Sequence, residues 1–282
     1  MNVLRAKTAG FCMGVGLALK KLDSALDRDD GRRISTLGPL IHNPQVLATY
    51  EAKGVFCVED IRILGRNDCV VIRAHGIPRE LERLLHESGA YVVDATCPKV
   101  KKAQLAIARA THNGAALLLF GEADHPEVRG LISYAQGPAC VIGADDDLQH
   151  LPVPLDCGLV LASQTTQDRE AFQRLERKAA KLHPELEVLS TICDATKQRQ
   201  EEARSIAQKV DIMVVVGGRQ SGNTRRLADV VAACGIETVL VETAEELDEK
   251  IFRQKTCVGL TAGASTPKSL IDMAEARLAA IE

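Results

Sequence analysis

The sequence predicts an α/β fold made of three loosely repeated units. Short β-like runs alternate with helical patterns along the chain, as expected where strands are joined by helices. One cysteine lies between such a run and a following helix in three places, at Cys12, Cys97 and Cys193. These cysteines are 85 and 96 residues apart, a domain-like repeat length. Each unit therefore presents one thiol where a strand ends and a helix begins.

Composition narrows the classes of function. With 282 residues and 46% hydrophobic content, the chain can bury a substantial core in one to three domains. Aromatic residues make up 3% of the chain and the net charge is −3, which argues against a nucleic-acid partner. The apolar runs are too short to cross a bilayer, and the first residues do not resemble a signal peptide. We therefore expect a cytoplasmic protein with no membrane partner.

The cysteine count favours reduced thiols. Nine cysteines is an odd number, which argues against a disulfide framework. The chain contains no CxxC pair, so a metal site has to be assembled from distant parts of the sequence. Six cysteines lie in or beside apolar stretches and are predicted to be buried structural thiols. They are Cys57, Cys69, Cys140, Cys157, Cys234 and Cys257.

The first third of the chain contains the Cys12 turn and two histidine loops. His42 follows the second predicted strand and His75 follows the third, and a helix is predicted after each loop. The predicted strands cover residues 2–7, 32–37 and 69–73, and the predicted helices cover 15–26, 45–53 and a segment from residue 78.

The middle third repeats this plan around Cys97. One of its loops carries His125 and Glu127, and another carries Thr165 and Thr166. A charged turn is predicted at 145–147. The predicted strands cover 91–93, 115–120, 140–141 and 159–162, and the predicted helices cover 98–111 and 168–182.

The last third is built around Cys193. One loop carries the run Ser221, Gly222, Asn223 and Thr224, and Ser265 lies in another. The predicted strands cover 187–189, 212–216 and 257–260, and the predicted helices cover 197–209 and a terminal segment to residue 281. The predicted domains are 14–96, 97–190 and 191–282, with the strand in 1–13 joining the last.

The loops suit a phosphate or diphosphate. They combine neutral donors with the starts of helices, where backbone N–H groups attract anions. A proline in the first helical turn supports these helix starts. The prolines concerned are Pro44, Pro78, Pro98, Pro126 and Pro267.

Ordinary structural roles are the alternative for each residue. A histidine in such a loop is often a cap or a surface residue. Asn223 or Thr224 could be the N-cap of one helix, and Thr165 with Thr166 could cap the helix at Asp168. Neither a GxGxxG nor a P-loop match occurs, so we expect no bound nucleotide cofactor.

Three thiolates could hold either of two metal groups. Zinc would accept three cysteines plus water or histidine, whereas a reducing compartment also favours an iron–sulfur cluster with one iron lacking a cysteine. Such an iron would be a Lewis acid for a substrate oxygen. Together with an anion site and the carboxylate of Glu127 as proton donor, these parts suit reductive removal of a hydroxyl group from a phosphorylated alcohol.

Nine short motifs follow one another along the chain, at residues 10–15, 42–44, 73–76, 94–98, 125–128, 164–166, 191–193, 221–224 and 261–265. In this order they closely resemble the 4-hydroxy-3-methylbut-2-enyl diphosphate reductase family over essentially the whole chain. The resemblance implies a trefoil of three α/β domains around a central [4Fe–4S] cluster, which oxidative loss of the open iron would convert to [3Fe–4S].

The resemblance also implies roles for single residues. Glu127 would be the proton donor, Thr165 would hold the substrate alcohol and relay protons, and His125 would serve both catalysis and binding. Ferredoxin or flavodoxin would supply two electrons. The cluster ligands would be Cys12, Cys97 and Cys193. The substrate-binding residues would be His42, His75, His125, Thr165, Thr166, Ser221, Gly222, Asn223 and Ser265.

One position departs from the family pattern. Many relatives have a second serine where this chain has Gly222, so one side-chain donor is missing. A lost hydrogen bond to an anion costs about 1.5–3 kcal/mol unless a backbone N–H or water replaces it.

Two other functions remain open on the cysteines and histidines alone. One is a zinc hydrolase using His42, His75 and His125, and the other is a non-catalytic iron–sulfur sensor.

Overall fold

The computed structural model describes residues 1–28, 30–143, 148, 151, 153 and 158–281. The predicted charged turn at 145–147 and Cys157 lie outside these residues. Among the described residues the helices reach at most 14 residues, and none is long and apolar enough to cross a membrane.

Twelve strands are present in the described part of the chain. They are β1 (Asn2–Arg5), β2 (Arg33–Leu37), β3 (Phe56–Val58), β4 (Asp68–Ile72), β5 (Tyr91–Asp94), β6 (Ala116–Phe120), β7 (Ala139–Ile142), β8 (Leu159–Ser163), β9 (Glu187–Val188), β10 (Ile212–Val216), β11 (Thr238–Val241) and β12 (Cys257–Ala262).

Ten α-helices connect or follow these strands in the same ranges. They are α1 (Met13–Leu26), α2 (Pro44–Ala52), α3 (Arg79–Glu87), α4 (Pro98–Ala110), α5 (Pro126–Ile132), α6 (Arg169–Leu182), α7 (Asp194–Ala207), α8 (Gly222–Ala232), α9 (Glu249–Phe252) and α10 (Lys268–Ala279).

The strands form three four-stranded parallel sheets, which confirms the predicted α/β fold class. The strand orders are β1-β12-β10-β11, β5-β4-β2-β3 and β9-β8-β6-β7. In each sheet the first strand of this order lies at an edge and precedes one of the three candidate site cysteines. The strand β1 pairs with β12, so the N-terminal strand joins the sheet of the last third.

Contact density divides the chain into two compact units. Unit 1 comprises Met1–Val15, His42–Thr49 and Asp194–Glu282, and unit 2 comprises Gly16–Ile41 and Tyr50–Cys193. Unit 1 contains one of the sheets, and unit 2 contains the other two. The trefoil arrangement and the domain boundaries at 96/97 and 190/191 stay predictions.

Central strands are buried on both faces, as parallel sheets require. In unit 1, alternate residues of β10 pack into two different clusters, one against α10 and the other against α7 and α8. In unit 2, β6 does the same, with α6 on one face and α4 and α5 on the other. The predicted apolar runs at 115–120 and 212–216 are therefore central strands.

The last strand in the order of two sheets, β3 and β11, was not predicted from the sequence. β3 has three residues, of which Phe56 and Cys57 are exposed although they belong to the apolar run 55–58. β11 has four residues and only Val241 is buried. Both are edge strands that pair with one neighbour. Such pairing depends on the tertiary structure, so the local sequence does not show it.

Most of the supposed structural cysteines are not buried, and that prediction was wrong. Of the five that the structure describes, only Cys69 is buried, because it lies in the central strand β4. Cys57 is exposed on the edge strand β3, and Cys234 is exposed just after α8. Cys140 and Cys257 are half-buried. A small apolar thiol beside an apolar run thus does not predict burial when the run lies at an edge or an end.

The five prolines do mark helix starts. Pro44, Pro98 and Pro126 are the first residues of α2, α4 and α5, where the missing N–H has no consequence. Pro78 and Pro267 lie one residue earlier, as the N-caps of α3 and α10.

Candidate functional site

The polar loops occupy equivalent positions in the three sheets. In each sheet a polar residue lies five positions after the end of the third strand in the order given above. These residues are His42 after β2, His125 after β6 and Ser221 after β10. A helix then begins within two residues. The repeat predicted from the cysteines thus extends to the histidine and serine loops.

The cysteine turns are attached to a second set of equivalent loops. The N–H groups of Cys12, Cys97 and Cys193 donate to carbonyl oxygens at 3.2, 2.9 and 3.0 Å. Each acceptor is the second residue after strand β12, β4 or β8. The residue that follows each acceptor is a predicted substrate ligand, and these residues are Ser265, His75 and Thr166.

Glu127 is a buried acid in unit 2. It is the second residue of α5 and is 2% exposed. Its Oε1 accepts the Thr165 N–H at 2.6 Å. Burial raises the pKa of the Glu127 carboxyl to about 7, although hydrogen bonds from the Thr165 backbone and side chain act in the opposite direction. Near neutral pH the group is therefore divided between acid and carboxylate, as a general acid should be.

The raised pKa of Glu127 predicts a pH-dependent stability change. The folded protein binds this proton more tightly than the unfolded chain, so unfolding free energy falls as pH rises from about 4.5 to about 7. Glu127→Gln should remove this cost and raise the unfolding free energy at pH 8 by about 2–3 kcal/mol, with little difference at pH 4. Urea denaturation across pH 4–8 measures it.

Glu185→Gln is the matched control for that experiment, because Glu185 is exposed at the end of the α6–β9 connection. It should change the unfolding free energy little at any of these pH values. A Glu127→Gln effect of the same size at pH 4 and pH 8 would contradict the buried-acid assignment.

Thr165 links the acid to the Cys193 turn. Its N–H donates to Glu127, and its carbonyl oxygen accepts the Cys193 N–H. Thr191 fixes the same turn to the end of β8. Its hydroxyl donates to the Ser163 carbonyl at 2.7 Å and accepts the Ser163 N–H at 2.8 Å. The positions of acid, hydroxyl and thiol are thus set by one hydrogen-bonded segment.

His75 and His125 come together in unit 2. Their ring centroids are 5.4 Å apart in an edge-to-face arrangement. The Nδ1 of His125 accepts the Glu127 N–H at 3.1 Å, so His125 is also the N-cap of α5. His125 therefore does have the ordinary structural role of an N-cap, and its hydrogen bond with the Glu127 N–H fixes the orientation of its ring.

Unit 1 brings together the β10 loop, the β12 loop and His42. The Ser265 hydroxyl donates to the His42 carbonyl at 3.1 Å. A Cβ on Gly218 would lie 2.6 Å from that same oxygen, so only glycine fits there. Gly218 also accepts the Ser221 N–H through its carbonyl at 3.0 Å. The Gly217–Gly218 pair therefore serves close loop packing.

The start of α8 presents an unused amide donor. Ser221 is the N-cap, and its Oγ accepts the Thr224 N–H at 3.3 Å, so neither Asn223 nor Thr224 is the cap. The buried Nδ2 of Asn223 donates to no group among the residues that the structure describes. A buried donor without an acceptor is costly, and an anion at this helix start would satisfy it.

The observed cap of α6 excludes a capping role for the two threonines. Asp168 caps α6, since its Oδ1 accepts the Ala171 N–H at 2.6 Å. Thr165 and Thr166 are not caps. The Thr166 hydroxyl accepts the amide of Gln164 at 3.2 Å, and Gln164 is itself 1% exposed.

Arg199 lies beside the Cys12 turn and was missed by sequence reasoning. It lies on α7, is 4% exposed and donates to three backbone carbonyls of unit 1. These belong to Thr8 at 2.5 Å, Gly10 at 3.0 Å and Ala262 at 2.9 Å. The guanidinium thereby ties the turn before Cys12 to the end of β12. An arginine in a polar helix carries no sequence signal for such a role.

Comparison with known proteins decides the family. A family profile described as "LytB protein" matches residues 3–279. The chain belongs to the LytB protein family. A LytB relative from Desulfovibrio desulfuricans is 65% identical with all of both chains covered, and one from Geobacter sulfurreducens is 44% identical, covering 96% of this chain and 95% of the other. Both are named 4-hydroxy-3-methylbut-2-enyl diphosphate reductase.

Solved structures show that this LytB chain also shares the fold. The E-1-hydroxy-2-methyl-but-2-enyl-4-diphosphate reductase from Plasmodium falciparum matches with a TM-score of 0.91 at 26% identity, over 96% of this chain and 86% of that one. A second structure, titled as the terminal enzyme of the non-mevalonate pathway, matches with a TM-score of 0.69 at 38% identity over 99% of both chains.

Proposed function

We propose that this LytB protein reduces 4-hydroxy-3-methylbut-2-enyl diphosphate to isopentenyl and dimethylallyl diphosphates. The C–O bond of the alcohol breaks and a C–H bond forms, so each turnover takes up two electrons and two protons and releases one water. The family membership and the names of the relatives support this reaction.

The observation that carries the proposal is the arrangement of Glu127, Thr165 and Cys193. A buried carboxyl group with a pKa of about 7 bonds to the same residue whose carbonyl holds the cysteine turn. A protonated carboxylic acid can give a proton to a leaving hydroxyl group or to carbon. Glu127 would be the proton donor, and the Thr165 hydroxyl would hold the alcohol and relay the proton.

The cysteines suit an iron–sulfur cluster. Cys12, Cys97 and Cys193 are half-buried, form no disulfide within the described chain and stand at equivalent strand ends. Three soft thiolates with one iron left without a cysteine fit a [4Fe–4S] cluster, or [3Fe–4S] after loss of that iron. When bound, the cluster would supply the electrons and a Lewis-acidic iron. The donor would be ferredoxin or flavodoxin.

Neutral donors would bind the diphosphate. In unit 1 the candidates are His42, Ser221, Asn223 and Ser265, together with the Gly222 backbone at the first position of α8. In unit 2 they are His75, His125 and Thr166. The unsatisfied Asn223 amide and the N-terminus of the 11-residue helix α8 support this assignment most directly.

A cytoplasmic location is part of the proposal. The odd cysteine count and the thiolate ligands of the proposed cluster support it. The electron carrier and the thiolate ligands both need a reducing compartment.

Viologen oxidation tests the reaction. The cluster-reconstituted protein should oxidise reduced viologen anaerobically only when 4-hydroxy-3-methylbut-2-enyl diphosphate is present, with both isoprenoid diphosphates as products. A colourless zinc protein that keeps oxygen-stable hydrolase activity would overturn the proposal. So would a cluster-containing protein without turnover, which would point to a sensor.

Asn223→Asp tests the diphosphate site. The substitution keeps the side-chain shape, and a carboxylate at the start of α8 is favoured by the helix dipole, so folding stability should hold. The new charge repels the diphosphate and the amide donor is lost, so KM should rise about 10- to 100-fold. Steady-state kinetics and inhibition by inorganic diphosphate measure the effect.

Asn113→Asp provides the matched control, because Asn113 is exposed and its Oδ1 accepts the Ala115 N–H, as a carboxylate also can. Its KM should equal the wild-type value. An unchanged KM in Asn223→Asp would remove Asn223 from the diphosphate site.

A further inference from the structure

The first half of α1 exposes an apolar face directly after Cys12. Met13 is 56% exposed and Leu17 is 39% exposed, and the two stand four residues apart on one side of the helix. Phe11, in the turn before the helix, is 41% exposed. Large exposed apolar side chains that lie together beside a candidate cluster ligand are typical of an interaction surface.

Basic side chains continue this face toward the end of α1. Lys20 and Lys21 follow Leu17 by three and four residues and are exposed. Arg28 lies just after the helix, also exposed, with its guanidinium carbon 4.5 Å from the centre of the Tyr91 ring. Lys21 donates to the Asp94 carbonyl.

A groove of about 290 Å³ separates the second half of α1 from the edge strand β5. Lys21, Ser24 and Arg28 line one side, and Tyr91 to Asp94 line the other. The acid on α1, Asp23, already accepts the Tyr50 hydroxyl at 2.9 Å and lies 3.8 Å from the Lys53 ammonium. Asp27 and the Asp94 carboxylate are the other acids near the groove.

We infer that this α1 surface, formed by Met13, Leu17, Lys20, Lys21 and Arg28, docks an acidic one-electron carrier protein. The inference rests on the proposed function. An apolar centre with a polar, charged rim is the usual anatomy of an interface, and the basic rim selects a negatively charged partner. The whole chain has a net charge of −3, so a local basic surface is needed to attract such a partner.

The position of the α1 surface also fits electron delivery. The helix begins one residue after Cys12, so a carrier bound to its first turns lies next to a candidate cluster ligand. Each alcohol reduced needs two electrons. Two reduced carriers would dock in succession, and each would be oxidised by one electron as the C–O bond breaks and water is released.

Two substitutions on this surface separate docking from chemistry. Lys20→Glu reverses a rim charge, and Leu17→Ser removes an apolar contact at an exposed position. With reduced flavodoxin of net negative charge, kcat/KM for the carrier should fall about 5- to 20-fold in each variant at low salt. The Lys20→Glu effect should shrink as ionic strength rises. Viologen is a small molecule, so it should drive both variants at the wild-type rate.

Lys178→Glu is the control, since Lys178 is exposed on α6 and the reversal adds the same charge to the chain. Calorimetric titration with oxidised flavodoxin gives a readout that does not depend on turnover. Weaker binding by Lys20→Glu and Leu17→Ser than by Lys178→Glu supports the docking surface. Equal binding and equal carrier-driven rates in all three variants overturn it. Absent viologen turnover in the wild-type protein overturns only the proposed reaction.

Discussion

Replacing Glu127 with glutamine should lower kcat about 10²- to 10⁴-fold while leaving KM for the diphosphate substrate nearly unchanged. The magnitude is that of general acid catalysis by one positioned group. Glutamine keeps the shape and can still accept the Thr165 N–H that Glu127 Oε1 accepts at 2.6 Å, so the loop should stay in place. Glutamine lacks the carboxylic acid proton that Glu127 would donate. Viologen-coupled kinetics with a cluster-loaded sample measure both constants.

The pH dependence of the wild-type rate provides a second reading of the same group. With a Glu127 pKa of about 7, the acid form decreases above neutral pH, so kcat should fall as pH rises through 7. Glu127→Gln should have a low rate with no transition in this range. Iron content and unfolding free energy show that the variant is folded and loaded. A variant with a wild-type rate would remove Glu127 from proton delivery.

The same residue shows a conflict between stability and activity. Burial of Glu127 costs folding free energy above about pH 4.5, yet it keeps the carboxyl group protonated near neutral pH. A glutamine there should be more stable at pH 8 and much slower. Such opposite changes are the mark of a functional group held in an unfavourable environment.

The polar loops could be predicted from the sequence because their logic is local. An apolar run that ends in a small-residue turn before a proline predicts a strand, a loop and a helix, and parallel strands place such loops at one edge of a sheet. This sufficed for the loops of His42 and His125, whereas the Ser221 loop has no proline and was predicted from the apolar run 212–216 and the glycines that follow it. The five-residue spacing was also contained in the sequence prediction, because the predicted strand ends at residues 37, 120 and 216 are the ends of β2, β6 and β10.

Tertiary burial was the part that could not be predicted. Cys57 and Cys69 both lie in strands, yet one is exposed and the other buried, because only β4 has a neighbour on each side. Likewise, the pKa of Glu127 follows from the elements packed around α5. A motif identifies the residue, and only the packing gives its environment.

Arg199→Met should destabilise unit 1 and disturb the Cys12 turn. Methionine keeps an apolar stem of similar length but leaves the carbonyls of Thr8, Gly10 and Ala262 without their donor. Loss of charge-assisted hydrogen bonds in a buried place should lower the unfolding free energy by about 3–5 kcal/mol. Denaturant unfolding measures this, and iron per chain after reconstitution reports on the turn.

Arg253→Met is the matched control for the Arg199 experiment, because Arg253 is exposed after α9 and its loss should cost little. Arg199→Lys keeps the charge but not the fork that reaches three carbonyls, so it should fall between wild type and Arg199→Met. If Arg199 positions Cys12, the iron content of Arg199→Met should fall even at temperatures where the variant remains folded. Full iron loading with only a stability loss would instead make Arg199 a structural residue of α7, because the turn would then hold Cys12 without it.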